Sequence, residues 1–477
     1  MILDVFTKPY VLSSLKNIDN IESIIISYQN GDIAQEVSAE LIFGAIEAKG
    51  KLPVSVGNLF KVGDGLSTQK INRLGFSTPE SVGLSSIKLA EIDKIALKAI
   101  ENRITPGAQI LVARKGKVIY QKSFGYHTYK KDIKVKNADI YDIASLSKII
   151  GTLPNVMLDY DAKKINLDTR LGEMVHKARN SNKDSITFKE LLSHYARLQA
   201  WEPFYKKTID SISKMPLSKY YKKTELVNFS TQVDENLFIR NDYNDTIIKK
   251  IIDSKLLPKK EYKYSDFTFI LLKEYLETHH HKTLDVLAEE NFFSRLGMSS
   301  TLYNPLQRFD LDMIPPTEND TYFRHEIVQG YVHDMAAAMQ GGVAGHAGVF
   351  SNTIDIAKMM QMYLQKGNYG GIQYFSEKTF NDFNTCYFCA QGNRRGLGLD
   401  KPQLPGTSGP TCGCASLTSF GHTGFTGTMA WVDPETEIVY VFLSNRTFPD
   451  SNAPNKLSKE NIREDIQKII YDAIIKE

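Results

Sequence analysis

The sequence predicts an α/β (α+β) chain. An antiparallel sheet flanked by helices and carrying a helical lobe follows a short N-terminal α/β segment. Three observations predict it. Gln109–Arg114 and Lys117–Tyr120 are apolar runs separated by Lys115-Gly116, a hairpin signature. Thr428–Asp433 and Glu437–Leu443 repeat that character near the other end of the chain. Ser85–Arg103 and Ile462–Ile475 carry apolar residues at helical spacing. One sheet built from both ends of residues 81–477, with helical material between them, accounts for all three.

Composition narrows the function. The 477 residues suffice for two or three domains. Hydrophobic content of 42% and charged content of 24% are ordinary for a soluble globular protein. A net charge of +3 argues against a polyanionic partner such as nucleic acid. No 18-residue apolar run exists, so no transmembrane helix is expected. Residues 1–15 lack the basic start and apolar core of a signal peptide. That leaves a cytoplasmic chain, or one whose true N-terminus lies upstream. Four cysteines sit in two short loops, Cys386/Cys389 and Cys412/Cys414. A zinc site, loop disulfides and free thiols all remain open, although C-x-C is tighter than usual zinc spacing.

In chain order, residues 1–60 read as a partial α/β segment. Ser23–Tyr28 is a β-branched run expected as a buried strand. Gln35–Ala48 is expected as a helix packing through Val37, Ala39, Leu41, Ile42 and Ile46, and residues 50–56 return to an extended segment. Residues 61–80 are a linker by composition. The Ser85–Arg103 helix ends at Pro106-Gly107, and the hairpin follows. Residues 186–194 have a helix-start character. Residues 200–260, rich in tyrosine and lysine, read as the inserted helical lobe.

The chemistry concentrates after Tyr141. Ser145-x-x-Lys148 opens an apolar stretch with helical spacing, through Leu146, Ile149, Ile150, Leu153, Val156 and Met157. Three-residue spacing puts the hydroxyl and the ammonium on one face. A serine hydroxyl needs a neighbouring base, and a buried lysine that loses its proton by desolvation can be one. Pro154 is awkward inside this helix. Downstream, Tyr264-Ser265-Asp266 precedes an apolar helix, and a tyrosine beside a lysine can relay a proton. Gly421-His422-Thr423-Gly424-Phe425 precedes a strand. Its small residues let a substrate lie along the strand edge, and the backbone N–H groups of Ser145 and Phe425 are candidate oxyanion donors.

Ser-x-x-Lys, Tyr-x-Asp and His-Thr-Gly in that order resemble the serine β-lactamase and penicillin-binding protein superfamily, in its class C β-lactamase, D-alanyl-D-alanine peptidase and esterase branch. The resemblance spans residues 81–477 and implies the β-lactamase/transpeptidase-like fold. It implies Ser145 as acylated nucleophile, with Lys148 and Tyr264 handling protons. Asp266, His422, Thr423, Gly424 and Phe425 would line the substrate, with no cofactor and no metal. Two departures stand out. Asp266 replaces an asparagine, and His422 replaces a permanent lysine cation with a titratable group. Both suit a peptidase or esterase better than an efficient penicillinase.

Leu41–Ile46 followed by Gly50-Lys51-Leu52-Pro53-Val54 resembles the end of the C-terminal domain of family 3 glycoside hydrolases, which include β-N-acetylglucosaminidases. The glycosidase barrel is absent. The two resemblances together imply an exported, periplasmic protein fused to a glycosidase and acting on muropeptide-like substrates. The expected activity is that of an acyl-enzyme serine hydrolase of D-alanyl peptidase type. A broad carboxylesterase or weak β-lactamase is the alternative within enzymology. A non-catalytic muropeptide-binding module is the alternative outside it.

Other motifs carry less. His346 in the glycine-rich 341–351 stretch and the His333-Asp334 pair read as structural, and His279-His280-His281 as an exposed helix end. Asn393-Arg394-Arg395 fits either an acidic-substrate contact or a solvated loop, and Trp201 either a cleft wall or lobe packing.

Overall fold

The computed structural model describes residues 1–475 and divides into two compact units. The first comprises residues 1–75 with 369–372. In it β1 (Ile2–Val5) pairs in parallel with β2 (Ser23–Ile26), and α1 (Asp32–Ile42) follows. Val5, Leu12 and Val56 form its small core. Expectation and structure differ here. β2 is half-buried, α1 ends before Phe43, and no strand forms at residues 50–56, where a turn closes Val56 onto Phe60. Val37 and Ile42 are exposed, and so are Ile33 (77%) and Phe43 (78%). Two strands offer too little surface to cover both sides of the helix. Its buried residue is Ser38, bonded to the Asp4 carboxylate.

The six-stranded sheet belongs to the second unit apart from Gly75, the boundary residue that opens its edge strand. Its strands are β3 (Gly75–Phe76), β4 (Gly107–Arg114), β5 (Lys117–Gly125), β6 (Phe420–Thr423), β7 (Met429–Asp433) and β8 (Ile438–Ser444). They lie in the order β6-β7-β8-β4-β5-β3, antiparallel from β6 to β5. Lys115 (φ 49°) and Gly116 (φ 72°) both take the left-handed region that a two-residue hairpin turn requires. The sheet thus joins the two ends of residues 81–477, as the paired strand signals predict.

Alternation along the strands sorts the core. Ile110, Val112, Tyr440, Phe442 and Trp431 pack under α2 (Glu91–Glu101) and α7 (Ile462–Asp472), through Ile92, Ala96, Ile466 and Ile470. The predicted 85–103 helix is interrupted at Ala90. Leu111, Ala113, Val439 and Val441 point to the opposite face, where α6 (Thr353–Leu364) packs, started by an Asn352 cap. Tyr363 on α6 donates to Ile149 O (2.8 Å), fixing the serine segment behind that helix.

That segment is not one regular α-helix. Ala144–Leu146 is a tight 3-10 turn, Lys148–Thr152 a π-turn, and α3 covers Leu153–Asp161. Pro154 explains it. Proline has no N–H for the preceding turn, so it sits at the start of α3 and the backbone widens upstream of it. The predicted helical lobe holds a small three-stranded sheet (Tyr221–Lys222, Thr231–Asp234, Leu237–Ile239) and one full helix, α4 (Tyr243–Asp253). α5 (Phe267–His280) begins directly after Asp266. The helix start near 186 is a capping box: Thr187 and Glu190 bond each other's backbone N–H before Phe188–Leu192.

Candidate active site

The turn before Ser145 is built by a buried carboxylate. Asp142 accepts from Ala144 N (2.8 Å) and His333 N (2.7 Å). The first bond helps hold Ala144 at φ 48°, a region costly for a residue with a Cβ. The Gly421–Gly427 segment docks on this turn. Thr426 Oγ1 donates to Asp142 O (2.9 Å) and Thr428 Oγ1 to Ile143 O (3.0 Å). A Cβ at Gly424 would meet Thr428 Oγ1 at 2.1 Å and Ile143 O at 2.7 Å. Gly424→Ala is therefore expected to cost about 1–3 kcal/mol of stability by prying the segment from the serine turn. A thermal melt unchanged from wild type would refute this close-packing account.

Ser145 Oγ accepts from Lys148 Nζ (2.9 Å) and from Tyr264 OH (3.1 Å). Lys148 is fully buried; its ammonium also donates to His346 O (2.9 Å) and pairs with Asp266 Oδ1 (2.7 Å). Burial alone would lower its pKa, but Asp266 and the Tyr264 hydroxyl outweigh burial and raise it. The expectation that desolvation strips this lysine of its proton therefore fails in the resting site, because the carboxylate at 266 holds the charge. Tyr264 is pushed above the ordinary phenol value, mainly by burial and then by Asp266, against the opposing pull of Lys148. Serine, lysine and tyrosine thus form one coupled set.

Three more side chains surround the Tyr264 ring. His422 is buried, with its ring centroid 5.8 Å away. Burial, Arg395 and Lys148 push its pKa down to about 3, so it is neutral at physiological pH and supplies no cation. Its Nδ1 faces Thr423 O at 2.7 Å, which makes Nδ1 the protonated nitrogen and Nε2 a free acceptor. His194 (centroid 4.7 Å) accepts at Nδ1 from Ser265 N (3.2 Å) and keeps an unpartnered Nε2–H donor; burial first, then Arg395, holds it neutral. The Arg395 guanidinium lies 5.2 Å from the ring centroid, 3.3 Å from Asp400 Oδ1 and 3.3 Å from Tyr262 OH. Its Nη1 is buried and unpartnered.

The structure thus brings Ser145, Lys148, Tyr264, Asp266 and His422 together, with Thr423 and Gly424 on the adjoining segment. Phe425 follows, half-exposed, its ring 5.5 Å from His333. Sequence reasoning did not single out His194. Arg395 it left open between substrate contact and solvated loop, and the structure buries it. His346 contributes its backbone carbonyl, while its ring bonds Asp334 (2.9 Å). His333 pairs with Glu318 (3.2 Å). Trp201, Phe204, Asp266, Asp334 and His346 line a cavity on the Lys148 side. Both cysteine pairs, Cys386–Cys389 and Cys412–Cys414, are disulfides. No helix among the described residues is long and apolar enough to cross a membrane.

Known proteins resemble this chain over most of its length. A protein of Escherichia coli O157:H7, provisionally named a D-alanyl-D-alanine carboxypeptidase, is 28% identical over 419 residues, covering 84% of this chain and 92% of its own. A class C β-lactamase structure superposes with a TM-score of 0.58 at 14% identity, covering 82% of this chain and 98% of that one. EstCE1, a hydrolase with promiscuous acyltransferase activity, superposes with a TM-score of 0.56 at 17% identity, covering 81% and 99%. Residues 92–461 match the Beta-lactamase family. That span contains the serine turn, the tyrosine and the β6 edge, and the chain therefore belongs to the Beta-lactamase family of serine hydrolases.

Proposed function

We propose that the chain is a carboxypeptidase that releases a C-terminal D-alanine from peptidoglycan-derived peptides through an acyl-enzyme at Ser145. The observation that carries this reading is Arg395. A buried guanidinium with an unpaired Nη1 beside the proton-handling tyrosine suits a substrate carboxylate. The His194 Nε2–H, also buried and unpartnered, is a second donor beside the Tyr264 ring. An ester with a neutral alcohol leaving group would use neither.

In this reading Ser145 Oγ attacks the carbonyl after the coupled set has lost one proton. The carbonyl oxygen takes the charge, facing the N–H groups of Ser145 and Phe425. Tyr264 and Lys148 return a proton to the departing amine as the C–N bond breaks, and water then cleaves the acyl ester. His422 Nε2, a neutral acceptor, suits the leaving N–H. The cell-wall context is supported by the name of the E. coli relative and by the likeness of residues 41–54 to family 3 glycoside hydrolases. An oxidising, exported location is supported by the two disulfides. We keep the division into a partial segment (1–60), a linker (61–80) and a hydrolase domain (81–477) as part of the proposal.

The test compares D-alanine release from an Nα-acylated D-Ala-D-Ala peptide with hydrolysis of a p-nitrophenyl ester. Arg395→Gln is expected to lower kcat/KM for the peptide by roughly 10–100-fold, the worth of a hydrogen bond to a charged group, and to spare the ester. Asp400 keeps Arg394 (2.9 and 3.0 Å) in this variant, so no carboxylate is orphaned. Equal losses on both substrates would remove the carboxylate argument. Ester turnover without peptide turnover in the wild type would favour a carboxylesterase.

A further inference from the structure

We propose that Asp159, His279 and His280 form a site for a divalent transition metal, remote from Ser145, that ties together the far ends of the two helices leading away from the active site. α3 continues the segment that carries Lys148, and α5 starts directly after Asp266. The two helices pack together, and their last turns meet where His280 Nε2 lies 2.9 and 3.1 Å from the Asp159 carboxylate oxygens. A helix C-terminus carries the negative end of the peptide dipole. Two such ends, and a carboxylate only 1% exposed, therefore converge at one point. That is a field for a cation.

The donors suit a particular class of cation. One ligand atom from each of Asp159, His279 and His280 lies within 4.8 Å of the others. His279 is exposed and can close the remaining gap by rotating; its ring stands 5.1 Å from that of His280 and stacks at 5.5 Å on Tyr275. A cavity of about 480 Å³ adjoins the group, lined by Asp159, Lys164, His280, Glu290 and Asn291, with room for water ligands. Two imidazoles and one carboxylate favour Zn²⁺ or its neighbours over Mg²⁺ or Ca²⁺. The competitor is Lys164, whose Nζ lies 3.0 Å from Asp159 Oδ1. Its side chain is 40% exposed and can swing into solvent. His281, past the helix end at φ 53°, lies outside the group. At 14 residues, α5 puts the ion about 21 Å from Asp266, so it would act on stability and not on the reaction.

The test is thermal melting of tag-free, chelator-treated protein with ZnCl₂ or MgCl₂. Zinc is expected to raise the melting temperature saturably by several degrees, and magnesium to leave it unchanged. His279→Ala, which alters an exposed side chain and folds, should weaken the zinc midpoint about tenfold or more. Lys164→Ala should tighten it, and His281→Ala should leave it in place. An equal zinc response in wild type and His279→Ala would overturn the proposal. So would no response in either wild type or Lys164→Ala.

Discussion

Ser145→Ala is expected to lower kcat by ~10⁴-fold or more on either an ester or a peptide. It should also abolish any mass adduct that the wild-type chain forms with a fluorophosphonate or benzylpenicillin. The melting temperature should hardly move, because Ser145 is only half-buried and its two hydrogen-bond donors keep other contacts: Lys148 retains Asp266 and His346 O, and Tyr264 retains its packing on His194. Lys148→Met keeps the stem volume but removes the charge, and it is expected to cost about as much activity. The two losses should not add, since serine, lysine and tyrosine share one proton inventory. A double variant far worse than either single one would mean that Lys148 does something independent of Ser145. An adduct that persists in Ser145→Ala would place the nucleophile elsewhere and remove the basis of the acyl-enzyme reading.

The sheet was legible in the sequence because its strands and turn rest on local pattern, whereas the meeting of the three distant motifs was implied only by the family resemblance. The Lys115-Gly116 turn, the apolar strands and the helix start within residues 186–194 are all read within a few residues. The Ser145–Lys148 pair is likewise local, being three apart. The site's electrostatics were not legible, because they depend on distances across the fold. Asp266 was read as a group facing the substrate, and the structure turns it onto Lys148. His422 was read as titratable, and burial beside Arg395 makes it neutral. Arg395 lies in an aperiodic loop, and only its contacts with Tyr262, Tyr264 and Asp400 separate it from any solvated arginine. His194 sits two residues past a helix end at φ 51°, and nothing in its neighbours marks it. The π-turn was signalled only by Pro154, whose missing N–H demanded a rearrangement without saying which.

Asp266→Asn is expected to move the acid limb of the kcat/KM profile to lower pH. The wild-type carboxylate raises the Lys148 pKa against the opposing effect of burial. With a neutral amide at 266, burial dominates and the ammonium loses its proton more readily. Catalysis needs the coupled set short of one proton, so the competent fraction at neutral pH rises. Each pH unit by which the limb moves multiplies the rate below it tenfold. Stability should respond with the opposite sense at neutral pH. In the wild type the raised lysine pKa adds stability that is present throughout the neutral range and is lost only as pH climbs through that raised value. In the variant the depressed pKa subtracts stability at neutral pH and gives it back as pH rises toward the unfolded value. The variant should therefore be faster at pH 7 yet melt lower there, with the melting gap narrowing on the alkaline side. An unmoved acid limb with a raised KM would show instead that Asp266 spends its charge on the substrate. The aspartate would then be a specificity group, and the resting charge of Lys148 would be set by something other than its 2.7 Å partner.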